Sequence, residues 1–154
     1  MILKNSLFIS ILILIISSCG QIKQEETKII QSDQEGLSSA VLLSTSFFIK
    51  DSLKHYDIQI TARMTPEFKL SSLPLRLILK DPLENTYSDT LKLGVRQVAG
   101  NPEIKKTGLW TDYRWRYRED VSFNRRGKWL FTFRHIHTKD IKGIKEIGVT
   151  LRER

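Results

Sequence analysis

From residue 41 onward, short runs of apolar residues alternate with clusters of turn-forming residues. Within two of these runs every second residue is apolar: Tyr56, Ile58 and Ile60 alternate with polar residues, and leucines occupy positions 73, 75, 77 and 79. A period of two is typical of a strand with one face buried. The pattern predicts seven strands, at residues 41–49, 55–63, 73–80, 86–95, 111–118, 128–137 and 145–151.

Turn residues separate the predicted strands, for example Asp81-Pro82, Asn101-Pro102 and Lys142-Gly143. No segment has the length and period of a helix that could connect two parallel strands, so we expect antiparallel pairing. Residues 40–154 are therefore predicted to form one all-β domain, an antiparallel β-sandwich of about seven or eight strands.

The first residues of the chain have the pattern of an export signal. Lys4 is followed by an unbroken apolar run from residue 7 to residue 16, about half the length that a spanning helix needs. Ser17 and Ser18 precede Cys19, an order that matches the bacterial lipobox. We predict that residues 1–18 are a lipoprotein signal peptide and that the thiol of Cys19 carries a lipid.

Residues 19–39 then read as a lipidated N-terminus and a flexible tether, because Gly20 to Ser39 is polar and lacks aromatic residues. Cys19 is the single cysteine of the chain, so an intramolecular disulfide and a cysteine-based zinc site are both excluded. Two or three acyl chains would hold the protein firmly on a membrane.

Several short motifs of the mature chain resemble the GldH-type gliding-motility lipoprotein family of the Bacteroidetes. They are the segments at residues 48–52 (FIKDS), 73–75 (LPL), 89–91 (DTL), 127–133 (GKWLFTF) and 141–149 (IKGIKEIGV), together with the lipobox. The resemblance implies an outer-membrane lipid anchor, on either the periplasmic or the surface side. It also implies partners among other envelope or gliding lipoproteins and proteins.

The charge of the chain is uneven. The whole sequence has a formal net charge of +8, and residues 96–154 contain 15 basic and 7 acidic side chains. Alternation within residues 111–118 (TDYRWRYR) places Arg114, Arg116 and Arg118 in a row on one face of a strand. We interpret this row as a candidate interaction face, and leave open the alternative that the arginines only protect a solvent-facing strand.

An acidic protein, an anionic head group or a glycan would suit the basic half of the chain. Nucleic acid would suit it equally well, but an exported lipoprotein does not ordinarily meet it. If the protein is instead a glycan-binding surface lipoprotein, Trp110 is the most credible stacking platform, because Trp129 alternates with Phe131 and Phe133 as a buried stripe does.

The sequence offers little support for catalysis. His135 and His137 are spaced to share one face of a strand, but two ligands are too few for a zinc site. Glu119 and Asp120 are adjacent, so in a strand they point to opposite faces and cannot flank one bond. We therefore predict a protein that is not an enzyme, with no cofactor apart from the lipid on Cys19 and no metal.

Overall fold

The computed structural model describes residues 24–32 and 36–154, and in these residues every regular element is a β-strand. Cys19, the predicted signal peptide and the first residues of the predicted tether lie outside this part of the chain. The eleven strands are β1 Glu25–Gln31, β2 Gly36–Leu37, β3 Leu43–Ile49, β4 His55–Met64, β5 Ser72–Lys80, β6 Thr86–Gly94, β7 Glu103–Thr107, β8 Trp110–Ser122, β9 Gly127–His135, β10 Ile141–Lys142 and β11 Ile144–Glu153.

The strands form two antiparallel sheets that face each other. The five-stranded sheet has the order β1-β11-β4-β8-β7, and the four-stranded sheet has the order β3-β9-β5-β6. A small ladder of β2 and β10 lies beside them. Alternate residues of the long central strands point inward and bury the apolar core, whose most enclosed members include Phe47, Ile60, Leu75, Phe131, Phe133, Ile147 and Val149.

All seven predicted strands are present, with bounds that differ by a few residues at most ends, and the all-β sandwich is confirmed. The sequence pattern missed β1, β2, β7 and β10. Of these, β2 and β10 have two residues each, too few for alternation to be visible, and every residue of β7 is exposed, so β7 has no buried face that could produce apolar alternation.

The prediction of a flexible tether is wrong for the residues of β1. Residues Glu25–Gln31 do not lie free but pair with β11, from Glu25 opposite Arg152 to Gln31 opposite Glu146. Only Ile30 of this strand packs against the core, while Ile29 is 58% exposed. The segment is held by ladder hydrogen bonds rather than by burial, which explains why its sequence resembles a linker.

Candidate functional site

The outer face of the five-stranded sheet carries the predicted arginine row. Arg114 lies opposite Thr61 of β4 and Glu103 of β7, and Arg116 lies opposite Gln59 of β4. Both side chains are exposed. We call this surface the Arg114 face; its charged members are Glu25, Asp57, Arg63, Glu103, Lys105, Asp112, Arg114, Arg116, Glu146 and Arg152.

Arg118 does not continue the row. On β8 the register moves from Arg116, opposite Gln59, to Arg118, opposite Ile58, so Tyr117 is an extra residue in a β-bulge. A bulge bends a strand and re-aims its side chains. Here Arg118 turns to the other sheet, where its Nη2 lies 3.2 Å from Oδ2 of Asp89 on β6.

Asp89 is one of the points at which polar contacts join the two sheets. The hydroxyl of Tyr117 donates a hydrogen bond of 2.7 Å to Oδ2 of Asp89, the same oxygen that Arg118 approaches. The hydrogen bond from Tyr117 is the main cause that holds the pKa of Asp89 below its usual value, and Arg118 adds to it. Asp89 is thus a charged acceptor with two donors, and Arg118 is occupied by an ion pair.

Charges on the Arg114 face balance one another. Arg63 binds Asp112 through two hydrogen bonds, Nε to Oδ1 at 2.7 Å and Nη2 to Oδ2 at 3.2 Å, and its Nη1 lies 3.6 Å from Oε1 of Glu146. These side chains and Arg114 line a groove of about 520 Å³ above β4. The paired strand positions on this surface hold five cations and five carboxylates, and Arg154 also binds Asp57, so Arg114 and Arg116 stand in a mixed environment rather than on a basic patch.

The outer face of the four-stranded sheet is different, and sequence reasoning did not find it. Its cations are Arg76, Lys80, Lys92, Lys128 and Arg134, and we call this surface the Arg76 face. Asp89 is the one carboxylate in the four strands, and it points inward. Among the described residues only Lys80 of these five cations has an ion pair, with Glu84.

The register places two like charges side by side on the Arg76 face. Arg76 of β5 is directly opposite Arg134 of β9, and both are exposed. Lys92 lies on the neighbouring strand β6, opposite Pro74. Ile78, Leu130 and Pro74 are half-buried beside these cations. Like charges directly opposite each other destabilise a sheet, and no carboxylate of the described strands on this face offsets the cost.

These cations come from both sides of residue 95, with Arg76 and Lys92 before it and Lys128 and Arg134 after it. The signal that could have found them was strand alternation combined with the pairing of β5 and β9. That pairing joins residues 58 positions apart, and one sequence does not reveal it.

A second feature is a cleft of about 560 Å³ between the sheets, at the side where β6 and β8 meet. Tyr87 is 45% exposed and its ring stacks on that of Trp129, with ring centroids 6.3 Å apart and an angle of 23° between the planes. Phe123 also packs against Trp129, with ring centroids 4.9 Å apart. Asp89, Arg118 and Asn124 supply polar groups to the same cleft.

Trp110 lies elsewhere, beside the two-residue turn that joins β7 to β8. It is 38% exposed, and Nζ of Lys145 lies 5.8 Å from its ring centroid. Part of the ring is therefore in contact with a cation rather than open to a ligand. Trp129 is 5% exposed, as its alternation with Phe131 and Phe133 predicts.

The two neighbouring histidines do not form a joint site. His135 ends β9 and is buried, and burial is the main cause that lowers its pKa. His137 lies beyond the strand, where its Nδ1 is close to the backbone of Lys139. Residues 24–32 and 36–154 contain no group of three His, Cys, Asp or Glu side chains arranged to hold a metal ion. In the same residues no helix is long and apolar enough to cross a membrane.

The fold and these surfaces define an antiparallel β-sandwich with two charged outer faces. The sequence model of the family described as GldH lipoprotein matches residues 26–151. The chain belongs to this family, as the motifs of its mature domain predict.

A gliding motility lipoprotein GldH homolog of Christiangramia forsetii is 30% identical over 109 residues, which are 65% of this chain and 64% of that protein. Less than two thirds of the relative's length is therefore matched.

Two solved structures have a similar arrangement of strands. One is CBM35 from Cellvibrio japonicus Abf62, with 11% identity, a TM-score of 0.40 and coverage of 80% of this chain and 92% of that one. The other is dimeric latent PorU from Porphyromonas gingivalis, with 12% identity, a TM-score of 0.42 and coverage of 85% of this chain and 13% of that one. At these TM-scores neither likeness bears on function.

Proposed function

We propose that this protein is a non-catalytic docking subunit of a cell-envelope assembly for gliding motility, anchored in the outer membrane by lipid on Cys19. Membership of a gliding-motility lipoprotein family supports the assembly, and the lipobox before Cys19 supports the anchor. Asp112 and Asp89 are both bound by other groups of the protein, Asp112 by Arg63 and Asp89 by Tyr117 and Arg118. They serve as structural acceptors in this proposal.

The docking surface is the Arg76 face, and its partner is a protein with an acidic patch. The single observation that carries this assignment is the opposition of Arg76 and Arg134 on a face without strand carboxylates. Such an arrangement costs stability in the free protein and is relieved when carboxylates approach. The half-buried Ile78 and Leu130 beside the arginines favour a protein over a free polyanion, because protein interfaces combine an apolar centre with arginine.

The experiment compares two matched charge reversals in the lipidated protein. R76E/R134E reverses the Arg76 face, and R114E/R116E makes the same two changes on the Arg114 face. Each protein is cross-linked in cells, recovered from solubilised membranes and analysed by mass spectrometry, which identifies the cross-linked peptides. We expect R76E/R134E to lose cross-links to an acidic segment of an envelope protein and R114E/R116E to retain them.

The reverse result would transfer the role to the row that the sequence predicted, with Arg118 excluded because it binds Asp89. Retention of the cross-links by both variants would show that neither charged face docks the partner. Thermal unfolding of each variant, compared with wild type, shows whether a loss of cross-links reflects a loss of fold.

The anchor has its own test. The Cys19→Ser variant lacks the thiol that would carry the lipid, so we expect it to leave the membrane fraction and to incorporate no labelled palmitate. Membrane retention of this variant in high salt, without label in the wild type, would contradict lipidation. Separation of inner and outer membranes on a density gradient then tests the outer-membrane location.

A second candidate function, glycan binding, is favoured by the cleft between the sheets rather than by Trp110. The exposed face of Tyr87 is a surface for the apolar side of a sugar ring, and Asp89, Arg118 and Asn124 can bind hydroxyl groups. On a glycan array the Tyr87→Ala variant should lose any signal that wild type gives, while Trp110→Ala retains it. A blank array for wild type would count against this function.

A further inference from the structure

The position of β1 fixes which end of the sandwich lies next to the lipid anchor. Strand β1 begins at Glu25, six residues after Cys19, and a chain of six residues spans at most about 20 Å. The carbonyl oxygen of Gln24 accepts a hydrogen bond of 2.8 Å from the amide of Glu153, which is the last residue of β11. The anchored chain therefore enters the domain at the end where β11 finishes and β4 begins.

Three loops lie at this end, which we call the anchored end. The β3–β4 loop (50–54) is joined to it through the ion pair of Lys54 with Glu153. The β8–β9 loop (123–126) lies at the same end, because β9 begins at Gly127, which pairs with Ile49 at the end of β3. The β5–β6 loop (81–85) packs against the same place, because a Cβ on Gly127 would lie 2.8 Å from Cγ of Pro82.

Two of these loops expose a leucine. Leu53 is 82% exposed in the β3–β4 loop, and Leu83 is 60% exposed in the β5–β6 loop. Lys50 and Arg126 are exposed at the same end and have no ion pair among the described residues. Leucines beside cations are a combination that suits the boundary between lipid head groups and acyl chains.

We propose that the anchored end binds the lipid surface directly, with Leu53 and Leu83 entering the head-group region and Lys50 and Arg126 contacting lipid phosphates. This inference rests on the proposed lipidation of Cys19. The domain then stands end-on, held by its acyl chains and by two loops. Both outer sheet faces remain clear of the membrane, and the β7–β8 turn lies at the far end, about 30 Å away along the ten residues of β4.

The test uses the lipidated protein in vesicles of phosphatidylethanolamine and phosphatidylglycerol that contain nitroxide-labelled acyl chains. Cys19 is the single natural cysteine and its thiol is consumed by lipidation, so one introduced cysteine accepts a fluorophore selectively. The probe is placed at Leu53→Cys or at Leu83→Cys. The matched control is Leu109→Cys, which replaces a leucine that is 77% exposed in the β7–β8 turn.

We expect the nitroxide lipids to quench the probes at positions 53 and 83 several-fold more than the probe at position 109, and aqueous iodide to show the opposite order. Equal quenching at the three positions, in proteins that float with the vesicles, would overturn direct contact of the loops while leaving the anchor intact. Failure of all three proteins to float would overturn lipidation, and this inference with it. Because the three positions are exposed, near-ultraviolet circular dichroism is expected to match wild type.

Discussion

The paired strand positions of each outer face carry five cations, and the two faces differ in the carboxylates that accompany these cations. On the Arg114 face five carboxylates are interspersed, and Arg63 binds both Asp112 and Glu146. On the Arg76 face the strands contribute no carboxylate, and Arg76 and Arg134 are cross-strand neighbours. A balanced face is explained by solubility and modest mutual attraction, whereas on the Arg76 face no carboxylate of the described strands offsets the repulsion between Arg76 and Arg134.

The largest expected effect on stability concerns Asp89, which binds Arg118 of the opposite sheet. Asp89→Asn removes the charge that Tyr117 and Arg118 share, so it should lower the free energy of unfolding by about 1 kcal/mol, a value reduced because the carboxylate is 40% exposed. Urea denaturation of the two proteins measures the difference. Asp112→Asn, which breaks a pair within one face, is the control and should cost about half as much. A larger loss of unfolding free energy from Asp112→Asn than from Asp89→Asn would contradict the stabilising role of the contacts that Asp89 makes with Tyr117 and Arg118.

The stability that Asp89 contributes should decrease in acid. The pKa of Asp89 is lowered in the folded protein, chiefly by the hydrogen bond from Tyr117. The unfolded state therefore binds the proton more readily, and the stability contributed by Asp89 is complete above the ordinary value of 3.8 and is lost as the pH falls through the folded value. Unfolding curves at pH 7 and at pH 3 should show a gap between wild type and Asp89→Asn that narrows in acid. A difference in stability that does not change with pH would mean that the negative charge of Asp89 does not contribute to the contact between the sheets.

Two single charge reversals should change stability in opposite directions. Arg134→Glu converts the like-charged pair with Arg76 into an attractive one, so it should raise the free energy of unfolding by about 0.5 kcal/mol. Arg114→Glu places a carboxylate opposite Glu103 and should lower it by about the same amount. Thermal and urea unfolding of both variants measure the signs. If Arg134→Glu lowers the free energy of unfolding instead, the opposition of Arg76 and Arg134 does not cost stability in the free protein.

Stability and docking should therefore separate on the Arg76 face. A variant that folds more firmly while losing its partner is the pattern expected where a protein keeps an unfavourable local arrangement for binding. On the Arg114 face, by contrast, a reversal should weaken the fold without removing the partner.

The differences between sequence-based expectation and structure have identifiable causes. Alternation was enough to place Trp115 and Trp129 inside and Arg114 and Arg116 outside, because a two-residue period needs only local information. It failed for Arg118, since a bulge depends on how β8 fits against β4. It failed for β1 because that strand is held by backbone pairing.

Charge counted along the chain does not match the way in which the fold groups charges on its surfaces. The sequence places most cations after residue 95, which suggested the row on β8 as the basic surface. Folding brings carboxylates from β1, β4, β7 and β11 onto that row's face, and brings Arg76 and Lys92 together with Arg134 on the other. A net charge assigned to a segment therefore says little about the charge of a sheet face, to which distant strands contribute.

Salt should produce the smallest effect, and it tests whether electrostatics is the cause of the difference between the faces. The Debye length falls from about 10 Å at 0.1 M salt to about 3 Å at 1 M, so repulsion between exposed Arg76 and Arg134 is largely screened at the higher concentration. The gain of Arg134→Glu over wild type and the loss of Arg114→Glu should both shrink toward zero, by a few tenths of a kcal/mol. General effects of salt on burial act on all three proteins and cancel in the comparison. A gain that persists in 1 M sodium chloride would show that Arg134→Glu stabilises through packing or strand propensity, and that uncompensated charge is not what distinguishes the Arg76 face from the Arg114 face.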